Sequence, residues 1–104
     1  MEVILPPQKR RALEVLGNKC SWCDDDIQIL LEVDHILNDG KAHRAEAGYS
    51  SIEKWIVDNP EIANKKVQLL CANCHRIKSF FPMHWKEWKR IARARNKAYG
   101  NFHV

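Results

Sequence analysis

The apolar positions of this chain change period along its length, and each change marks an element. Pro6 and Pro7 stand where a helix can open, placing Leu13 and Leu16 on its inner side and Lys9, Arg10 and Arg11 outside. Gly17-Asn18 then closes it near Leu16. After the acidic turn Asp24-Asp25-Asp26, residues 27–33 are rich in β-branched and aliphatic side chains and predict a strand. Residues 37–48, opening with Asn38, Asp39 and Gly40, read as an irregular loop. A short helix is expected over 50–57, capped by Ser50 or Ser51, with Ile52, Trp55 and Ile56 on one side and Asn59-Pro60 as its stop. Residues 67–70 form a second strand that delivers Cys71, and 74–80 form a helix with His75 in its first turn. Pro82 breaks that helix and can begin the last one, where Phe81, Trp85, Trp88, Ala92 and Tyr99 approximate an apolar stripe. Trp85 and Trp88 read as core residues, not as platforms for stacking bases. With no repeat, low-complexity tract or linker, the pattern is that of one α+β domain over residues 1–104.

A chain of 104 residues buries enough for a core but only marginally enough for stability, so a metal staple is physically useful. At the start, a very short apolar stretch precedes the positive charges, the reverse of a secretory signal, and no segment has the apolar length of a membrane span. A soluble, cytoplasmic protein is expected. The formal charge of +4 is unevenly placed: residues 1–75 carry nine Lys/Arg against twelve Asp/Glu, and residues 76–104 carry eight against one. On the last helix Lys86, Lys89, Arg90, Arg93 and Lys97 form a basic stripe with Glu87 as the lone acid. Such a face is often merely solvated, but this one-sidedness points to phosphate contact.

Cys20 and Cys23 form one Cys-x-x-Cys pair and Cys71 and Cys74 another. Each pair offers two sulfurs from one tight turn, so four thiolates suit a tetrahedral structural zinc that ties distant segments together. Two disulfides, in any of three connectivities, are the alternative, and a reducing compartment disfavours them. A thioredoxin-like redox role fits poorly because the pairs come as a matched set. Asp34-His35 lies between the pairs, and His75 directly follows the second.

The order C-S-W-C, V-D-H-I, L-L-C-A-N-C-H-R-I-K over residues 20–79 resembles the zinc-containing His-Asn-His (HNH) endonucleases, particularly small phage-type ones, and the junction-resolving endonucleases of the ββα-metal group. The resemblance implies a zinc-stapled, treble-clef-like ββα-metal core with flanking N- and C-terminal helices. It implies His35 as general base, Asp34 and His75 as ligands of a catalytic divalent ion (Mg2+, Mn2+ or another), and the four cysteines as ligands of a structural Zn2+. The middle Asn of the family falls near Lys66, with Asn64 or Asn73 as substitutes, and Ser79 or water is left as a third ligand. The implied activity is metal-dependent cleavage of DNA to 5′-phosphate and 3′-hydroxyl ends.

The residue types suit that task. Neutral imidazole accepts a proton from water near pH 7, and a hard cation stabilises the charge that develops on phosphate oxygens. One objection is geometric, since consecutive strand residues point to opposite faces unless the strand ends or twists. Backbone N–H groups at the start of the helix bearing His75, with Arg76 and Lys78, favour phosphate there. His84 and His103 read as structural, and His43 as solvated more readily than paired with Arg44 on phosphate. Two rivals remain: a noncatalytic zinc module that binds DNA or RNA, and a module that presents Trp85 and Trp88 to a protein partner such as phage packaging machinery.

Overall fold

Two strands pair antiparallel in the computed structural model of the protein, which describes residues 5–99: β1 (Leu31–His35) and β2 (Val67–Cys71), with Leu31 opposite Cys71 and His35 opposite Val67. Six helices among the described residues surround them: α1 (Pro7–Val15), α2 (Gly40–Ala47), α3 (Ile52–Asp58), α4 (Pro60–Lys66), α5 (Ala72–Phe80) and α6 (Trp85–Tyr99). The architecture is a small α+β unit in which β1, β2 and α5 pack on one another. None of these helices is long and apolar enough to cross a membrane. His103, the first four residues and the Tyr99 side chain lie outside the described residues.

The core has two parts, and α1 serves both. Leu13 packs with Trp22, Leu31, Leu69, Leu70 and the four cysteines, while its neighbour Ala12 packs with Ile56, Ala63 and Val67. Fully burying a Leu or Ile stabilises by about 1.5–3 kcal/mol. A fold with so few such residues gains from a further staple between Cys20-Cys23 and Cys71-Cys74.

Several elements differ from the sequence expectation. The first strand starts at Leu31, not residue 27, because the Asp25 carboxylate accepts from the Ile27 amide (3.0 Å) and turns the chain into a 3-10 turn over Gln28–Leu30. Residues 37–48 are not a loop throughout. The left-handed Asn38 (φ 57°) completes a turn after β1, and Gly40–Ala47 then forms α2, stopped by left-handed Gly48 (φ 69°). The K-A-H-R-A-E-A run consists of adequate helix formers behind the turn signal. Asn59-Pro60 closes α3 as expected but also opens α4, with Pro60 at a first-turn position that tolerates its missing N–H. Ser51 is the cap of α3, accepting from the Lys54 amide at 3.3 Å. α5 begins at Ala72, capped by the Cys71 sulfur, and Pro82 starts a 3-10 turn before α6.

On α6 the apolar stripe is only half internal. Trp88 and Ala92 pack on the cysteine-bearing core, whereas Phe81 (49% exposed) and Trp85 (38%) remain at the surface. Trp85 is thus no core residue. Its ring lies 5.7 Å from that of buried Trp22, with the Lys86 and Lys89 ammonium groups 5.6 and 5.8 Å from its centroid.

Candidate functional site

The four cysteine sulfurs lie within 4.8 Å of one another and all four residues are buried. All are free thiols, and Cys23 Sγ stands 3.6 Å from Cys71 Sγ, far beyond a disulfide bond. Sulfurs on a tetrahedral ion at about 2.3 Å sit roughly 3.8 Å apart, so the cluster fits zinc. Its chemistry fits as well. Hydrogen bonds from Cys23 and then Cys71 and Cys74 hold the Cys20 thiol below its usual range, while the crowding of Cys20 and the other sulfurs pushes Cys74 above it. Four packed thiols cannot all ionise alone, and a divalent cation that takes four thiolates removes that conflict. The Trp88 indole N–H donates to Cys74 Sγ at 3.2 Å. α6 is laced to the same cluster, Arg93 donating to the Ser21 carbonyl (3.1 Å) and Asn96 to the Cys23 carbonyl (2.7 Å).

Asp34 and His35 occupy the last two positions of β1 and leave it on opposite faces, as strand geometry requires. Asp34, 5% exposed, lies opposite Gln68 of β2 and accepts from its amide at 3.0 Å. The Lys78 ammonium donates to Asp34 Oδ2 and to the His35 carbonyl, both at 2.6 Å. The other oxygen, Oδ1, faces His75 Nε2 at 3.5 Å, and Glu32 Oε1 lies 3.6 Å from His75 Nδ1. One imidazole therefore has a carboxylate at each nitrogen. A neutral ring carries one N–H and can meet one of them, leaving a lone pair directed at the other. A positive charge between Asp34 Oδ1 and His75 Nε2, a proton as readily as a metal ion, resolves that opposition.

On the other face of β1, His35 Nε2 is 2.9 Å from His43 Nδ1 of α2, and the Tyr49 hydroxyl lies 3.5 and 3.3 Å from the same two atoms. His43 is buried, not solvated, with its ring edge-on to Trp55 at 4.3 Å. Burial first, and the neighbouring His43 second, lower the His35 pKa below its ordinary value. His35 Nδ1 faces Gly40, where a Cβ would come within 3.1 Å.

Lys78 is turned inward and is not available to an external phosphate, so the outward charge of α5 falls to Arg76, whose guanidinium rests 5.2 Å from the Phe80 ring. Ser79 is exposed. Of the residues weighed for the middle Asn, Asn64 bonds the Val15 and Pro60 carbonyls and Asn73 is exposed. Lys66 itself holds the turn after His35, its carbonyl accepting from the Ile36 amide (3.1 Å) and its ammonium lying 3.8 Å from Asp39. His84 is exposed between Phe81 and Trp88.

Glu32, Gly40 and Tyr49 join the cluster without having been anticipated. Glu32 was findable, since it lies two residues before Asp34 and so shares its strand face. His43 and Tyr49 were hidden by the unexpected α2. No family model, curated protein or solved structure matches the chain.

Proposed function

We propose that the protein is a metal-dependent DNA endonuclease of the His-Asn-His type, with β1, β2 and α5 as its ββα-metal unit. The observation that carries this reading is His75 set between Glu32 and Asp34, with His35 next to Asp34 at the end of β1. Asp34 and His75 would hold the divalent ion, which when bound stabilises charge on the phosphate oxygens. Glu32, 3.6 Å from His75 Nδ1, would orient that ring by drawing in to accept its N–H, a usual arrangement behind a metal-bound imidazole. His35 would accept a proton from water at Nδ1, and burial, with His43 beside it, lowers its pKa in the direction of the neutral ring that this task needs.

On this reading a phosphate would lie across the end of β1, at His35, to meet groups from both of its faces. The basic residues Lys86, Lys89, Arg90, Arg93 and Lys97 on α6 and Arg76 on α5 supply contact to the DNA backbone, which gives affinity with little sequence preference. The zinc clasp holds β2, α5 and α6 in register for this.

Nicking of supercoiled plasmid with Mg2+ or Mn2+, tested beside His35→Ala, decides the matter. Cutting by the wild type and none by a folded, zinc-loaded variant is the expected result; equal cutting by both removes His35 from the reaction. A second reading, a noncatalytic zinc module that binds nucleic acid, draws support from the internal engagement of Asp34 by Gln68 and Lys78. It expects salt-sensitive binding with no cutting under any divalent ion.

A further inference from the structure

We propose that His43 is a positioning residue for His35, accepting the His35 Nε2–H at its own Nδ1 and so holding the His35 ring in the tautomer whose Nδ1 carries no proton. The significance for cleavage rests on the endonuclease reading, but the arrangement itself does not.

Two imidazole nitrogens 2.9 Å apart share one hydrogen, which leaves two arrangements. If His43 donates, His35 must carry its proton on Nδ1, and the Tyr49 hydroxyl is left to donate to the more distant His35 Nε2, 3.5 Å away. If His35 donates, His43 Nδ1 is an acceptor, and the hydroxyl 3.3 Å away can donate to it as well. The second arrangement puts the hydroxyl on its nearer neighbour, at 3.3 Å instead of 3.5 Å. It also leaves His35 Nδ1 without a proton, with Gly40 against the ring.

His43 is built to hold still. It is 3% exposed, its ring edge meets Trp55 at 4.3 Å and 82°, and Tyr49 packs against it at 5.1 Å. A ring fixed on two sides by aromatic neighbours offers its nitrogen in one direction. His35 Nε2 lies in that direction, across the chain from β1 to α2.

The test uses zinc-loaded, 15N-histidine-labelled full chain at mildly alkaline pH. The expected spectrum has the His35 proton on Nε2, slowly exchanging with water, and a bare Nδ1. His43→Phe keeps an aromatic ring against Trp55 but no acceptor; the His35 ring proton should then exchange too fast to observe, and plasmid turnover should fall on the order of 10- to 100-fold with KM unchanged. His43→Asn restores an acceptor near the Nδ1 position and should recover the protected proton and much of the turnover.

A wild-type His35 proton on Nδ1 overturns the proposal, as does a His43→Phe protein that keeps both the protected proton and full turnover. Should His43→Phe fail to retain zinc, the wild-type spectrum and His43→Asn still decide. A protected Nε2 proton in a wild type that cuts no DNA upholds the His43 assignment and removes the endonuclease reading instead.

Discussion

The Lys78 ammonium and the Asp34 carboxylate form a buried ion pair, 2.6 Å from Nζ to Oδ2, with side chains 12% and 5% exposed. The same ammonium reaches the His35 carbonyl, so one side chain of α5 ties down both residues at the end of β1. Removing one partner from such a pair leaves an uncompensated charge in the interior, which costs about 3–5 kcal/mol, far more than an exposed pair. Lys78→Met is therefore expected to destabilise by about that amount, and adding Asp34→Asn should recover part of the loss because the stranded charge disappears. Urea unfolding at fixed free zinc measures both; a cost below about 1 kcal/mol for Lys78→Met would mean that the pair does not hold the strand end.

Gly40 and the His35 ring are packed against each other. The φ of Gly40 is not left-handed, but an alanine methyl there would stand 3.1 Å from His35 Nδ1, 3.4 Å from Cε1 and 3.6 Å from Cγ, against the ring. The ring would have to give way by a few tenths of an ångström while His43 holds its other edge. Gly40→Ala is therefore expected to lower the melting temperature and, by turning the imidazole, to reduce plasmid cutting tenfold or more, about 1.4 kcal/mol of barrier. Unchanged melting with full activity would show that the His35 ring is not held at this position.

Local signals exposed much of this arrangement. The spacing of Cys20-Cys23 and Cys71-Cys74, the strand 67–70 and the Ser51 cap each express a short-range preference that the folded chain keeps. What stayed hidden depends on tertiary partners. Lysine is rarely buried, and nothing near Lys78 in the sequence announces Asp34, 44 residues away, as its counterion. Asn38-Asp39-Gly40 marks a turn correctly but masks the helix behind it, and with α2 unread, His43 had no reason to meet His35. Pro60 shows the same ambiguity, since proline both ends one helix and begins another.

The cysteine cluster joins the turn before β1 to the end of β2, and its loss should be felt throughout the domain. Structural zinc sites contribute roughly 10–16 kcal/mol of apparent binding energy, comparable to or above the whole stability of a small domain. Cys71→Ser isolates the loss of the thiolate, because a serine hydroxyl can still cap α5 where Cys71 Sγ accepts from the Cys74 amide at 3.5 Å. We expect chelation of zinc from the wild type, or this substitution, to abolish the cooperative thermal transition, with refolding of the wild type on adding zinc back. Circular dichroism with metal analysis reads both, and a metal-free protein with normal melting would refute the clasp.

The basic residues of α6 are not equivalent, and that difference makes the DNA-facing role testable. Arg93 is spent in part on the Ser21 carbonyl, and Lys86 and Lys89 lie near the Trp85 ring, so substituting them perturbs packing as well as charge. Arg90 and Lys97 are exposed and allow the charge to be changed with the fold kept. Each phosphate contact releases counterions and contributes about 0.9 to the slope of log K against log salt. Arg90→Ala with Lys97→Ala should therefore lower that slope by up to about 2 for duplex DNA, weaken binding similarly across sequences, and leave melting unchanged. Titrations by fluorescence anisotropy at several salt concentrations give the slope directly. An unchanged slope would place the DNA elsewhere and leave the basic face of α6 to solvent.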